Sequence, residues 1–180
     1  MRRVVASAVF VVLAGWAAGC GYSFVGRGAN VDPTIRKVGV PLFKDRTGTQ
    51  GLDQTVTEKV TEELLKRGHL DVVPDATGVD AVVEGEITSF KVQPIGFTQE
   101  GARAGATTQA SRYAVVLTAH VVYRKIGATE PIWENASVQA REETDVGESS
   151  TAFFDRGDQT VDRLATSFAR SLVAAMLEAF

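Results

Sequence analysis

The chain has 180 residues, and its 19 Lys and Arg side chains are outnumbered by 22 Asp and Glu, which leaves a formal net charge of −3. This acidic balance lacks the basic stripe that nucleic-acid binding requires, so no nucleic-acid partner is expected. The single cysteine, Cys20, excludes a disulfide within the chain and any zinc site built from several cysteines.

The N-terminal segment has the pattern of a secretory signal peptide. Two arginines precede a short apolar run, Val4 to Leu13, and small residues follow. The run is shorter than the roughly 20 apolar residues of a membrane-spanning helix. The tract that ends in Cys20 resembles a bacterial lipobox, with Ala17 where Leu is usual, which implies cleavage before Cys20 and lipidation there. We therefore expect a signal peptide over 1–19 and attachment to a membrane through lipid at Cys20.

A Gly-rich tether over 20–34 is expected to precede a single domain over 35–180. Apolar and polar residues alternate, as in half-buried strands, over 36–43, 81–94, 113–124 and 132–142. Pro41 lacks a backbone N–H, so we expect it at a strand end or a sheet edge.

Two amphipathic helices are predicted from apolar residues at helical spacing. The first covers 52–65 and ends at Gly68, and the second covers 154–176. The tract 71–74 is predicted to be a very short extended piece. The tract 96–111 is polar, lacks hydrophobic periodicity and is predicted to be a long mobile hairpin tip.

These elements predict an α+β fold with the order strand, helix, strand, strand, strand, helix. A helix and a sheet each bury one apolar face, so the simplest arrangement is a two-layer sandwich. Both helices would then pack on one face of a four-stranded mixed sheet, with the first strand parallel to the second and the other pairs antiparallel.

No motif predicts catalysis. His69 and His120 are isolated from other metal ligands, so no metal site is expected. The chain has neither a Gly-x-Ser-x-Gly turn nor a Walker phosphate loop. We therefore expect no catalytic residue, no cofactor and no enzyme activity, although a pocket that joins His120 to a carboxylate would favour an enzyme.

Three cations flank or occupy the predicted hairpin tip: Lys91, Arg103 and Arg112. Cations on an acidic protein can donate charge-assisted hydrogen bonds to phosphate groups. The alternative is that these side chains are ordinary solvated surface.

Several local sequences resemble those of one family, the LPS-assembly lipoproteins called LptE. In that family a Cys-Gly-Tyr start precedes a Val-x-Pro-Phe-x-Asn-Arg-Thr segment, and this chain has Asp45 in place of the Asn. The tracts that carry the resemblance are Cys20–Phe24, Ile35–Thr47, Ala81–Phe90, Ile132–Asn135 and the end of the last helix at Ala179-Phe180.

The resemblance implies an outer-membrane lipoprotein on the periplasmic side. It would sit inside or against the β-barrel protein LptD, assist its assembly and help lipopolysaccharide reach the cell surface. Our own hypothesis for the contact is that lipid-A phosphates meet the basic residues near Lys91, Arg103 or Arg112. The family has no catalytic residues to carry over. Because the opening Val38 to Thr47 also resembles TolB-type and CsgG-type domains, the alternative is another periplasmic assembly or secretion lipoprotein.

Overall fold

The computed structural model describes residues 34–68, 70–100, 107–145 and 157–178. The signal peptide and nearly all of the predicted tether therefore lie outside the described residues. The described elements, in chain order, are β1 (Lys37–Gly39), β2 (Lys44–Asp45), α1 (Leu52–Gly68), β3 (Asp71–Val73), β4 (Ala81–Glu100), β5 (Thr107–Lys125), β6 (Trp133–Asp145) and α2 (Gly157–Glu178).

The strands form one mixed sheet in the order β3-β1-β4-β5-β6, and β2 pairs separately with β4. β1 runs parallel to both β3 and β4, as predicted for a strand followed by a crossover helix. The pairs β4–β5 and β5–β6 are antiparallel. Two helices pack on this sheet, so the predicted α+β two-layer fold is confirmed.

The predicted number of four strands is wrong, because two short segments also join the sheet. Of the predicted strand over 36–43, only Lys37–Gly39 is strand, and β2 follows just beyond it at Lys44–Asp45. Asp71–Val73 pairs in parallel with β1 and becomes an edge strand. Both segments are two or three residues long, which is too short for alternation of side chains to predict.

The tract 96–111 is mostly strand, contrary to the predicted mobile tip. β4 continues to Glu100 and β5 begins at Thr107, and the two strands remain paired from Gly96↔Arg112 to Glu100↔Thr107. A β-ladder is made by backbone groups, which polar residues supply as well as apolar ones. The absence of hydrophobic alternation therefore did not indicate the end of the strands.

The hydrophobic core lies between the helices and one face of the sheet. Alternate residues of β5 point to the helices and are buried, and the helices contribute two rows of buried residues. These residues are Val115, Leu117, Ala119, Val121 and Tyr123 on β5, Leu52, Val56, Val60 and Leu64 on α1, and Leu164, Phe168, Leu172 and Met176 on α2. The row on β5 was predicted from the sequence and is confirmed.

Phe43 fills the core at the place where β1 and β2 separate. Its ring is 1% exposed and lies directly over Gly85 of β4, where any Cβ atom would overlap the ring. Its backbone N–H donates to Thr57 Oγ1 at 3.0 Å, which ties the β1–β2 segment to α1. Gly85 is therefore required for the close approach of an aromatic ring.

Asp45 organises the turn between β2 and α1 with both oxygens of its carboxylate. Oδ1 accepts from the Thr47 N–H at 2.8 Å, and Oδ2 accepts from the Thr49 N–H at 3.0 Å. Burial acts to raise the pKa of Asp45, but the hydrogen bonds from Thr47, Thr49 and Gly48 together outweigh it and lower the pKa. An Asn at this position has only one acceptor oxygen, so the carboxylate satisfies both donors more fully.

Asp80 connects β1 to the start of β4. Its Oδ2 accepts from the backbone N–H groups of Arg36 and Lys37, both at 2.9 Å. The Asp80 N–H donates to the Lys37 carbonyl oxygen at 2.9 Å. The hydrogen bonds from Arg36 and Lys37 lower the pKa of Asp80.

We expect Gly85→Ala to destabilise the protein by about 1–3 kcal/mol, because the new methyl group must displace the Phe43 ring from a packed core. Chemical denaturation of the parent and the variant measures the difference. The matched control is the pair Phe43→Leu and Phe43→Leu/Gly85→Ala, in which the added methyl should cost less because the ring is gone. An equal cost in both backgrounds would contradict the predicted contact.

We expect Asp80→Asn to be less stable than the parent at pH 6, and the difference to shrink as the pH falls. The folded-state pKa of Asp80 lies below its ordinary value of 3.8. Its contribution is therefore complete above that value and is lost as the pH falls through the lowered pKa. Denaturation midpoints between pH 6 and roughly pH 2.5 test this. A difference that stays constant over that range would contradict the assignment.

Candidate binding surface

The face of the sheet turned away from the helices is the candidate binding surface. Side chains on a strand alternate between the two faces. Because the odd-numbered residues of β5 from Val115 to Tyr123 are buried under the helices, the even-numbered ones lie on the opposite face, which we call the outer face. His120 and Arg124 are on this face and are partly exposed.

A series of ion pairs and hydrogen-bonded charges, which we call the polar ladder, runs along the outer face. It crosses from β4 to β6, and its members are separated along the chain by 2 to 40 residues. The members are Arg46–Glu86, Arg124–Glu84 at 3.2 Å, His120–Glu134 at 2.9 Å, Arg141–Glu143 at 3.0 Å and Arg112–Asp145 at 2.7 Å.

The polar ladder contributes little to folding, because exposed ion pairs are worth about 0–1 kcal/mol each. The stability of the domain therefore comes mainly from the buried face. The polar side chains of the outer face are not needed for folding. The hydrogen bond to Asp145 and the charge of that carboxylate raise the pKa of Arg112 above its usual range. The bond to Glu84 acts in the same way on the pKa of Arg124.

A groove of about 260 Å³ opens on the outer face beside β2. β1 pairs with β4 as far as Gly39↔Val82, and β2 resumes the pairing at Lys44↔Glu86, so residues 40–43 leave the ladder between them. In this segment Phe43 turns into the core while Leu42 is 55% exposed. The groove is lined by Pro41, Leu42, Lys44, Glu84, Gly85, Glu86, His120 and Val122.

The structure brings His120 to a carboxylate beside this groove, which is the arrangement that would favour an enzyme. His120 Nε2 lies 2.9 Å from Glu134 Oε1. The lining residues of the groove supply no hydroxyl or thiol nucleophile, and their acidic members are paired with Arg124 and Arg46. The histidine and its carboxylate therefore form one link of the polar ladder, and the absence of enzyme activity stays a prediction.

Two of the three cations predicted to contact phosphate lie on the outer face. Lys91 is exposed, is paired in register with Val116 and makes no ion pair with a described residue. Arg112 pairs in register with Gly96, about 13 Å farther along β5 at about 3.3 Å per residue, and is held by Asp145. An anion at Arg112 must therefore compete with an existing carboxylate. Arg103 lies outside the described residues.

The structure adds Arg141 to these cations, which sequence reasoning missed. Lys91 and Arg141 flank Val116 in one row across β4, β5 and β6. Two strand spacings separate their backbones, about 10 Å. Arg141 follows Lys91 by 50 residues and belongs to a different strand. Their proximity can therefore be recognised only from the register of both strand pairs, β4–β5 and β5–β6.

The remaining predictions concern Cys20, His69, metal binding and membrane-spanning helices. Cys20 and His69 lie outside the described residues. Within the described ranges, no cluster of three or more His, Cys, Asp or Glu side chains is placed to hold a metal ion. No helix in the part of the chain that the structure describes combines the length and apolar character needed to span a membrane.

Residues 35–176 match the family model LptE, whose description is lipopolysaccharide-assembly. No curated protein matches the chain. Among solved structures, the hypothetical protein CT253 from Chlamydia trachomatis has a TM-score of 0.54 and 12% identity, covering 81% of this chain and 99% of that one. Rare lipoprotein B from Shewanella oneidensis has a TM-score of 0.45 and 11% identity, covering 78% and 95%. The likeness to CT253 shows the fold alone.

Proposed function

Because the chain belongs to the lipopolysaccharide-assembly family LptE, we propose that it is the accessory lipoprotein of an LptD-type β-barrel in the outer membrane. In this proposal it plugs the barrel, helps it to assemble and assists delivery of lipopolysaccharide to the cell surface. Its lipidated Cys20 holds it on the periplasmic side of the membrane. It binds and positions other molecules and catalyses no reaction.

The observation that carries this proposal is the character of the strand pair from Lys91↔Val116 to Glu100↔Thr107, which we call the β4–β5 arm. Lys91 and Arg112 place positive charge on its outer face. On the same stretch of β4, Val92, Ile95 and Phe97 are 41%, 39% and 61% exposed, and Val92, in register with Val115, lies on the face opposite to Lys91. Lipopolysaccharide combines phosphate groups with acyl chains, so an arm that offers both cations and apolar side chains matches its chemistry.

The polar ladder supports the barrel part of the proposal. The lumen of an outer-membrane barrel is polar, and a domain that plugs it needs a surface of the same character. The outer face offers paired charges on three long strands, together with a hydrogen-bonding histidine. Such a face can contact a polar wall without burying unpaired charge.

We expect Lys91→Glu/Arg112→Glu to bind lipopolysaccharide at least about tenfold more weakly than the parent, since two attractive charges become repulsive. Asp145→Asn should strengthen binding, because it releases Arg112 from its ion pair. Binding of fluorescent lipopolysaccharide to the full-length protein in nonionic detergent measures both effects. The matched control is Arg124→Glu, which reverses a cation at the other end of the outer face. Unchanged binding by the double variant would reject these contacts.

We expect the protein purified from membranes to carry acyl chains on an N-terminal Cys20 and to be recovered with one barrel protein in a one-to-one complex. Two or three acyl chains are needed for stable anchoring, since a single chain binds a membrane only marginally. Native mass spectrometry of the purified complex reads both the modification and the stoichiometry. An intact leader would contradict the lipoprotein assignment, and a closed ring of copies of this chain would favour the alternative of a CsgG-like pore subunit.

A further inference from the structure

Two long stretches of strand are paired on one side only within the described residues: β6, and β4 from Thr88 to Glu100, which neither β1 nor β2 covers. The stretch of β4 contains Lys91, Pro94 and register shifts near Pro94 and Gly96, all of which protect a sheet edge, so β6 offers the more regular edge.

Within the described residues β6 pairs only with β5, and the opposite edge is the three-residue strand β3. From Val138 to Asp145, every residue of β6 has a register partner on β5. The backbone N–H and C=O groups that point away from β5 in this segment meet no other described strand. They form a template for a further strand.

The backbone irregularities that would block pairing with a further strand are confined to the first part of β6. There the register shifts opposite Ala119 and Val121, and Asn135 Oδ1 accepts the backbone N–H of Ser137 at 2.8 Å. The segment Val138–Asp145 contains no bulge, no proline, no glycine and no lysine. It is therefore regular over eight residues, enough for a typical strand.

The charged side chains of this segment already have partners on their own side. Arg141 pairs with Glu143 at 3.0 Å, and Asp145 pairs with Arg112 at 2.7 Å. Glu142 Oε1 accepts from Ser167 Oγ of α2 at 2.6 Å. These contacts fix the side chains above and below the strand, so an added strand can approach its edge without breaking the sheet.

The charge of Val138–Asp145 indicates which kind of strand would pair with this edge. Two cations, Arg141 and the Arg112 that pairs with Asp145, stand against three acids, Glu142, Glu143 and Asp145, so one negative charge is left in excess at the edge. A second copy of the chain would bring the same excess of negative charge to the edge, which disfavours self-pairing. An extended segment with lysine or arginine at alternate positions would instead gain favourable cross-strand pairs.

We infer that Val138–Asp145 is a docking edge for an extended basic segment of a partner protein, which adds to the sheet as a strand next to β6. Backbone hydrogen bonds supply the affinity of such a contact, and side chains at alternate positions supply its selectivity. The contact is made by backbone groups, which point sideways from β6 and not out of the outer face, so this inference does not depend on lipopolysaccharide binding.

The test uses the full-length lipidated protein in nonionic detergent and a synthetic eight-residue peptide that alternates lysine and valine. A second peptide of the same sequence with every backbone nitrogen methylated has the same charge but cannot form the ladder, because it has no backbone N–H to donate. The first peptide should bind at least about tenfold more tightly than the second. Hydrogen exchange should show that its binding protects backbone amides within 138–145.

Two protein variants distinguish binding of the peptide at this edge from nonspecific attraction of a basic peptide to an acidic protein. Glu143→Lys/Asp145→Lys reverses the sign of the segment's charge and should weaken binding of the unmethylated lysine–valine peptide about tenfold. Arg141→Glu/Glu143→Arg is the matched control, since it exchanges the members of an ion pair and leaves the net charge unchanged. Its binding should equal that of the parent.

Three results would overturn the inference. Equal binding of the two peptides would mean that charge alone attracts them. Protection outside 138–145 would place the contact elsewhere. Slow exchange of all the amides of 138–145 in the protein without peptide would mean that another part of the chain already covers the edge.

Discussion

The structure depends on the burial of one face of a long antiparallel sheet under two helices. The helix-facing row of β5, from Val115 to Tyr123, is at most 3% exposed, and Phe168 of α2 is fully buried against the same core. A sheet and a helix each have one apolar face to bury, and here these faces cover each other. The outer face is therefore left free of core packing, so it can carry charged side chains.

The strand pair β4–β5 extends beyond the helices because its two ends are stabilised in different ways. Its proximal part is held by the core, and its distal part is held by the ladder between the strands as far as Glu100↔Thr107. Register shifts near Pro94 and Gly96 alter the twist of this distal part. Lys91, in register with Val116, lies on the outer face behind the core, whereas Arg112 lies on the distal part of the strand pair. An accessory of a barrel needs such a reach if it is to contact a bound lipid.

A local irregularity at the start of the sheet places one side chain in the core and its neighbour on the surface. Pro41 cannot donate to a ladder, and the chain leaves β4 for four residues before β2 resumes the pairing. Phe43 uses the space above Gly85, while Leu42 turns outward and lines the groove. One interruption of the strand therefore produces both a core contact and an exposed apolar residue.

Much of the fold could be predicted from the sequence, because its main elements carry strong periodic patterns. The alternation in β5 and the helical spacing from Leu52 to Leu64 report burial on one side, and both predictions are confirmed. β2 was missed because a strand of two residues has no readable period, and β3 was predicted as a short extended piece but not as a member of the sheet. The polar end of the β4–β5 ladder was missed because backbone pairing leaves no hydrophobic signal there.

The candidate site was predicted less completely, since its geometry depends on register. Lys91 and Arg112 were identified as cations near a hairpin, but the pairing of Arg112 with Asp145 joins residues separated by 33 positions. The alignment of Arg141 with Lys91 depends on two ladders at once. Composition and spacing do not contain this information. The contacts proposed for Lys91, Arg103 and Arg112 with phosphate stay predictions.

The central claim is that the outer face of the β4–β5 arm contacts lipopolysaccharide during its assembly. The most direct test places a photo-crosslinking amino acid in living cells at Val116, which lies on that face between Lys91 and Arg141. The comparison position is Glu58, on the exposed side of α1. The account predicts lipopolysaccharide adducts from position 116 and none from position 58. Adducts from position 58 with none from position 116 would contradict it.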